Sequence, residues 1–239
     1  MSAGPGRGGA RKKSRGKVGK LTTLYHVGDL GRPRRVRHGT SLEGGELSVS
    51  RHPREWARIA GLGGNVYKLT KRGARFVDGR DPNAVVWAVA SGYVEPVRRF
   101  LVWTGYDNEA EEERCEAFDT RAEAEAFTRA DGEFYEDSAA CEHALGEVEE
   151  FTDYRLGPLG SEYVRAVFPD VVAGGGDYLA SDLAPIFYAR AHGCDGVWWD
   201  DRYAPLALSC PRGCILQERL PEWKIELVDE AEVPDAADE

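Results

Sequence analysis

Gly-Cys-Asp-Gly-Val-Trp-Trp-Asp-Asp, residues 193–201, contains a turn, a strand and an acidic pair in close succession. The Asp-Gly pair predicts a turn, and the Val-Trp-Trp run that follows it is short and β-prone. Asp200 and Asp201 then stand where the strand gives way to a loop. Carboxylates in that position can reach a ligand while the strand stays anchored in the core, although Asp is equally typical of solvated turns.

The residues on either side predict a helix before this stretch and a strand after it. Ser181 and Asp182 predict the cap of a helix over 183–192, which would lead the chain into the turn. After the acidic pair, we expect a second apolar strand over 206–209 to return towards the core.

The length and composition indicate an ordinary globular protein. A chain of 239 residues, 42% hydrophobic and 30% charged, can form one large domain or two small ones with a real core. No run approaches the roughly 20 apolar residues that span a bilayer, and the N-terminus lacks the apolar core of a secretory signal. We therefore expect a cytoplasmic protein with no membrane contact. Five cysteines without a Cys-x-x-Cys pair predict reduced thiols and no zinc site.

The charge is divided unevenly along the chain. The net charge is −10, yet residues 1–37 contain eleven Lys and Arg residues against Asp29 alone. We expect residues 1–20 to be a disordered basic arm and residues 229–239 a loose acidic tail. Basic residues over 7–37 predict contact with nucleic acid. The alternatives are a solubilising tail and an arm that folds back on the acidic body.

A second charged region covers residues 107–153, where eighteen acidic residues stand against three basic ones. Good helix formers over 121–129 and 139–150 predict that this region is an acidic helical insertion. An acidic surface repels nucleic acid, so contact with nucleic acid would fall elsewhere. The insertion is either a solvated face or a regulatory, partner-binding surface.

The remaining patterns predict short strands and helices in alternation. Residues 83–91 fit either a helix or a buried strand, and we favour the helix. The runs 65–69 and 74–77 predict a hairpin around the turn at 71–73. The other strands are expected over 21–27, 47–50, 97–104 and 224–228, and a further helix over 54–61.

Three places in the chain combine polar residues with strand edges. They are Tyr25-His26 on the first strand, Ser48-Val-Ser50 on the second and the Asp200-Asp201 pair near the C-terminus. This order resembles the ADP-ribosyltransferase superfamily, in particular phage- and toxin-type members with His on the first strand. The Leu-Tyr-His-Val-Gly opening and the Gly-Cys-Asp-Gly-Val-Trp-Trp block carry the resemblance. It covers residues 21–77 and 181–228 and leaves the middle of the chain unmatched.

The resemblance implies a fold, a cofactor and an activity. Residues 21–228 would form an α+β domain with two small, mainly antiparallel sheets around an NAD-type cleft, and the acidic helical insertion would interrupt it. The protein would be a toxin-like glycosyltransferase that consumes NAD as a substrate. It would transfer ADP-ribose to a macromolecular acceptor, either protein or nucleic acid, without a metal.

The resemblance also implies roles for particular side chains. His26 would hydrogen-bond the ribose next to nicotinamide, and Gly28 would let NAD approach the backbone. Asp200 or Asp201 would be the catalytic acid, because a fixed carboxylate stabilises the oxocarbenium-like ribose. The other expected cofactor-binding residues are Tyr25, Ser48, Ser50, Tyr67, Trp198 and Trp199.

The late acid departs from the family pattern, in which it is usually Glu. Asp is shorter by one methylene, and a displacement of about 1 Å can cost orders of magnitude in rate. The chain could therefore be a weak enzyme, a binder or an inactive relative.

Two other functions fit parts of the sequence. Asp201 with Glu222 and Lys224 has the acid and Glu-x-Lys spacing of a metal-dependent nuclease, in which carboxylates hold Mg²⁺. The second alternative is a non-catalytic interaction module for nucleic acid or protein. Its working surfaces would be the basic arm and the acidic insertion.

Overall fold

The computed structural model describes residues 20–30, 45–107, 112–130, 146–167, 180–199, 211–229 and 233. This part of the chain is α+β, with a seven-stranded mixed sheet and a three-stranded antiparallel sheet. The predicted α+β class is thus confirmed. Two small sheets were expected, however, and one of the two sheets has seven strands. None of the described helices is long and apolar enough to cross a membrane.

The described elements follow one another in short segments. The strands are β1 Leu21–Val27, β2 Leu47–Ser50, β3 Val66–Arg72, β4 Phe76–Asp78, β5 Val94–Asp107, β6 Glu112–Phe118, β7 Val148–Leu156, β8 Gly196–Trp199, β9 Arg212–Ile215 and β10 Lys224–Val228. The α-helices are α1 Pro53–Ala60, α2 Pro82–Ala90, α3 Arg121–Arg129, α4 Pro158–Val167 and α5 Ala180–Ala191. A 3₁₀ helix, Gln217–Glu222, joins β9 to β10.

The large sheet has the strand order β10-β3-β1-β2-β9-β8-β4. Neighbouring strands are antiparallel except β4 and β8, which run parallel. One face carries a core that includes Leu24, Val49 and Ile215. The opposite face carries Val197 and Trp199, which pack under α5. The alternation of side chains along each strand produces this two-sided core.

The small sheet has the order β6-β5-β7 and packs against α3 through Phe100, Val102 and Ala124. A capping box between Thr120 and Glu123 begins α3, as the helix-forming sequence predicts. The described part of the acidic region is therefore two strands and one helix.

The second helix predicted in the acidic region is wrong at its C-terminal end. Residues 148–150 belong to β7, and Val148 lies opposite Val102 of β5. Pairing with a central strand outweighs the local helix propensity of the glutamates. The rest of that predicted helix, 139–145, lies outside the described residues.

The hairpin predicted from 65–69 and 74–77 is also wrong. β3 lies between β10 and β1, whereas β4 is at the opposite edge of the sheet beside β8. The predicted strand over 206–209 lies outside the described residues. The helix predicted over 83–91 is confirmed as α2, and α5 begins early enough to include Ser181 and Asp182 in its first turn.

Asp195 explains why the chain does not turn back after β3. Its buried carboxylate accepts hydrogen bonds from the Lys71 ammonium group and from the Arg75 backbone N–H. The backbone N–H of Asp195 donates to the Arg75 carbonyl, and its carbonyl accepts from the Leu216 N–H. The segment after β3 is thereby fixed to the start of β8.

Glu46, just before β2, forms a second buried junction. Its fully buried carboxylate accepts hydrogen bonds from the Tyr163 hydroxyl at 2.6 Å, the Gln217 N–H at 2.6 Å and Arg190 at 3.1 Å. Burial raises the pKa of Glu46, although these donors work in the opposite direction. The junction holds β2, α4, α5 and the 3₁₀ helix together.

We expect Asp195→Asn to lower the free energy of unfolding by about 1–3 kcal/mol, because Lys71 keeps its exposed partner Glu222 but loses the charge of its buried partner. Urea denaturation followed by circular dichroism measures the loss. Lys224→Ala is the control, since the exposed Lys224–Glu226 pair is worth about 0–1 kcal/mol. Equal, small losses in both variants would contradict the role given to Asp195.

The Glu46 junction predicts a particular pH dependence. Because folding raises the pKa of Glu46, its contribution is fully present below the unfolded value of about 4.3 and is lost as pH rises through the raised value. The wild type should therefore lose stability relative to Glu46→Gln between pH 4 and pH 7. Urea denaturation of both proteins across this range measures the difference, and a constant difference would count against the prediction.

Candidate functional site

The strands that carry the predicted site residues lie side by side, in the order β1-β2-β9-β8. Tyr25 lies opposite Ser50, Ser50 opposite Arg212, and Arg212 opposite Trp199. Side chains directly opposite one another point to the same face of a sheet. These four residues, the Tyr25 row, therefore cross four strands on the face that α5 covers.

The same alternation divides the expected site residues between the two faces. His26 follows Tyr25 and Trp198 precedes Trp199, so both point away from the Tyr25 row. Trp198 accordingly packs with the core on the far side, where Phe76 lies 6.2 Å away. Tyr67, opposite His26 on β3, shares that far side. Asp200 and Asp201 lie outside the described residues.

His26 is buried, and backbone groups surround both of its ring nitrogens. Nδ1 lies 2.7 Å from the Ser48 carbonyl oxygen and Nε2 lies 2.9 Å from the Asp29 carbonyl oxygen. A neutral imidazole can donate to only one of these carbonyls, whereas an imidazolium can donate to both. Tyr67 stacks beside the ring at a centroid distance of 6.5 Å. His26 thus fixes the loop after β1. A ribose hydroxyl could hydrogen-bond Nε2 only if it displaced the backbone carbonyl of Asp29 from that nitrogen.

Ser50 is fully buried and joins three elements. Its hydroxyl donates to the Pro211 carbonyl at 2.9 Å and accepts the His52 N–H at 3.0 Å. The first bond holds the start of β9 and the second holds the residue before α1. The sequence expectation that Ser50 organises a pocket stays a prediction, but its structural contacts are clear.

The remaining expected residues differ in how accessible they are. Trp199 is only 4% exposed, and its ring lies so close over Gly79 that a Cβ there would be 2.1 Å from Nε1. Trp198 is half-buried, with the Arg51 guanidinium 5.2 Å from its ring centroid. Gly28 has φ +116°, a conformation that favours glycine. Trp199 is therefore part of the core, whereas Trp198 retains an accessible surface.

Sequence reasoning did not select Arg212 of the Tyr25 row, nor two residues beside it, Trp56 and Asp182. The Arg212 guanidinium is 5.2 Å from the ring centroid of Trp56 on α1, and the carboxylate of Asp182 on α5 acts on Arg212 electrostatically. Burial raises the pKa of Asp182, and the charge of Arg212 lowers it. Burial also raises the pKa of the Tyr25 phenol. We call Trp56, Asp182 and Arg212 the Arg212 cluster.

No sequence motif pointed to this cluster. Arg212 lies in a Pro-Arg-Gly segment within the C-terminal block of the resemblance, which gave this arginine no role, and Asp182 fits a helix cap. Trp56 is typical of the buried face of a short helix. Only the pairing of β2, β9 and β8 brings α1 and α5 to opposite sides of Arg212.

The residues of the alternative nuclease site have other partners. Glu222 binds Lys71 at 2.6 Å and Arg219 at 3.0 Å, and these cations lower its pKa. Lys224 binds Glu226 at 2.7 Å. Within the described ranges, no group of three or more His, Cys, Asp or Glu residues could hold a metal ion. Asp201 falls outside those ranges.

Comparison with known proteins identifies no relative. No family model, curated protein or solved structure matches this chain. The proposed function therefore depends on the chemistry and placement of this chain's own residues.

We expect Ser50→Ala to lower the free energy of unfolding by about 1–3 kcal/mol, because the buried Pro211 carbonyl and His52 N–H both lose a partner. Thr152→Ala, at an exposed position of β7, is the control and should cost at most about 1 kcal/mol. Chemical denaturation measures both losses. A Ser50 variant as stable as the control would show that these bonds are dispensable.

Proposed function

We propose that this protein binds NAD and transfers its ADP-ribose group to a macromolecule. The observation that carries the proposal is the adjacency of β1, β2, β9 and β8, three of which bear the residues of the resemblance. The Tyr25 row crosses these strands and ends at Trp199, directly before Asp200 and Asp201 in the chain.

The proposed cleft lies over the Tyr25 row, between α1 and α5. Arg212 contacts Trp56 of α1 on one side and interacts with Asp182 of α5 on the other. Tyr25 is half-buried and supplies an aromatic surface on this face, whereas Trp198 points to the opposite one. The cleft thus combines a cation, two aromatic side chains and a carboxylate, a set suited to a dinucleotide.

The proposed reaction breaks the bond between nicotinamide and C1′ of its ribose. The bonding electrons leave with nicotinamide, and the ribose becomes oxocarbenium-like. Asp200 or Asp201 stabilises the developing positive charge, and an acceptor nucleophile bonds to C1′ and loses its proton. His26 contributes indirectly, since its contacts with Ser48 and Asp29 hold the loop after β1.

The charge distribution favours a polyanionic acceptor. Residues 1–37 contain eleven Lys and Arg residues, while the region 107–153 is strongly acidic. A nucleic acid would be attracted to the first region and repelled by the second. We therefore propose nucleic acid as the acceptor, approaching through residues 7–37, and a protein acceptor is the alternative outcome of the assay below.

Incubation with NAD labelled in its adenylate phosphate should transfer label to a macromolecule and release nicotinamide. Asp200→Asn combined with Asp201→Asn should lower nicotinamide release by about 100-fold or more, because the transition-state charge loses its counter-charge. Each single variant then identifies the acting residue. Asp119→Asn, at an exposed carboxylate between β6 and α3, is the matched control and should be fully active.

Two results would reject this function. One is the absence of nicotinamide release by the wild type with both nucleic acid and protein acceptors, and the other is full activity in the double variant. Thermal stabilisation by nucleic acid without NAD consumption, lost on deletion of residues 1–20, would instead support a non-catalytic interaction module.

A further inference from the structure

The end of the large sheet at which β3 finishes and β1 begins carries exposed cations. Leu21 of β1 lies opposite Arg72 of β3, and the Gly73 N–H donates to the Lys20 carbonyl at 3.0 Å. Arg75 follows on the same short segment, and Lys20, Arg72 and Arg75 are all exposed. We call these three residues the basic end of the sheet.

Neighbouring carboxylates do not cancel the charge of the basic end. Asp195 and Glu222 are bound to two other cations, Lys71 and Arg219. Within the residues that the structure describes, no Asp or Glu forms an ion pair with a residue of the basic end. The whole chain has a net charge of −10, so the basic end is a local excess of positive charge on an acidic protein.

An aromatic stack adjoins the basic end, just after α5. The exposed His192 ring stacks on Tyr188 with centroids 3.9 Å apart, and Trp87 of α2 meets His192 edge-on at 5.5 Å. Arg75 Nη2 donates to the Gly193 carbonyl at 2.7 Å and lies 3.5 Å from the His192 carbonyl oxygen. The basic end and these three rings, the His192 stack, are therefore in contact.

We propose that this surface binds single-stranded nucleic acid, with phosphates on the basic end and a base stacked on His192. The inference rests on the proposed function in one respect, because it takes the bound strand to be the acceptor of ADP-ribose. Binding itself needs neither NAD nor the cleft over the Tyr25 row.

Arg75 can bind phosphate while it holds the end of α5. Both of its carbonyl contacts use Nη2, which leaves the Nε and Nη1 donors for phosphate oxygens. Its backbone is fixed, because its N–H donates to the Asp195 carboxylate at 2.8 Å and its carbonyl accepts from the Asp195 N–H at 2.7 Å. A cation on a fixed backbone loses less conformational freedom when it binds a ligand.

The His192 stack favours a single strand over other polyanions. Histidine and other aromatic rings stack on unpaired bases, and every base has a π-face that can take part. A duplex keeps its bases inside the helix, and an anionic membrane would use the cations alone. An exposed ring beside unpaired cations is therefore best matched by a strand with accessible bases.

The N-terminal segment adds positive charge at the same place. Residues 1–19 join β1 through Lys20 and contain no Asp or Glu. Their basic residues are Arg7, Arg11, Lys12, Lys13, Arg15 and Lys17. Charges attached at the basic end attract phosphate towards it, whereas the acidic 107–153 region repels phosphate.

Fluorescence anisotropy tests the interface with a labelled single strand of about 20 nucleotides, as DNA and as RNA, without NAD. Arg72→Ala combined with Arg75→Ala should weaken binding about tenfold. The slope of log K against log salt should become shallower by about 1.4, because two phosphate contacts are lost.

His192→Ala should also weaken binding of the single strand about tenfold, but with an unchanged salt slope, because stacking involves no phosphate. His192→Phe should restore the affinity, since it keeps an aromatic face. A duplex of the same sequence should bind equally well to the wild type and to His192→Ala.

Arg98→Ala combined with Arg155→Ala is the matched control. It removes the same charge from exposed arginines of the small sheet, whose partners are Glu150 and Glu95, and should bind as the wild type does. Circular dichroism establishes that each variant is folded. If the double variant of the basic end does not fold, Arg72→Ala alone decides the matter, with a salt slope shallower by about 0.7.

The outcomes separate this inference from the proposed function. Binding that depends on the basic end and on His192, in a protein that releases no nicotinamide from NAD, retains the interface and rejects the transferase. Label transfer to nucleic acid that is unchanged in the folded double variant rejects the interface and retains the transferase. The interface is also overturned if the wild type binds no single strand, if the double variant and its control lose equal affinity, or if phosphatidylserine vesicles bind in place of a single strand.

Discussion

The buried carboxylate of Asp195 is the constraint on which the sheet order depends. It accepts hydrogen bonds from Lys71, at the end of β3, and from the Arg75 N–H, just before β4. Burial works to lower the pKa of Lys71, but its hydrogen bonds to Asp195 and Glu222 raise it overall. Because the carboxylate needs both donors, the chain after β3 is drawn to β8 and continues as its parallel neighbour.

The position of β4 in turn determines what surrounds the candidate site. With β8 between β4 and β9, α5 packs over β8 and β4, and its first turn brings Asp182 to Arg212. From the other side, Ser50 holds the segment before α1, which places Trp56 against the same guanidinium. The Arg212 cluster is thus a consequence of strand order and of two helix positions, and no single segment of the chain contains it.

Because side chains alternate along each strand, His26 and Ser50 point to opposite faces of the large sheet and stabilise different segments. His26 points away from the Tyr25 row and is occupied with the Ser48 and Asp29 carbonyls, so it stabilises the loop after β1. Ser50 points towards the helices and joins Pro211 to His52. A chemical site on this sheet therefore depends on side chains of one face, with those of the other face supporting its frame.

The sequence by itself determined the elements whose signals are local. The strands β1, β2 and β10 and the helix α3 have the predicted bounds, because alternation, propensity and capping act within a few residues. Tertiary structure alone decided the neighbours of each strand. The alternation of apolar and polar residues along a strand shows which residues share a face, but it does not show which other strand pairs with it. For that reason the 148–150 segment became a strand opposite β5, β3 and β4 did not form a hairpin, and Arg212 came to lie between Trp56 and Asp182.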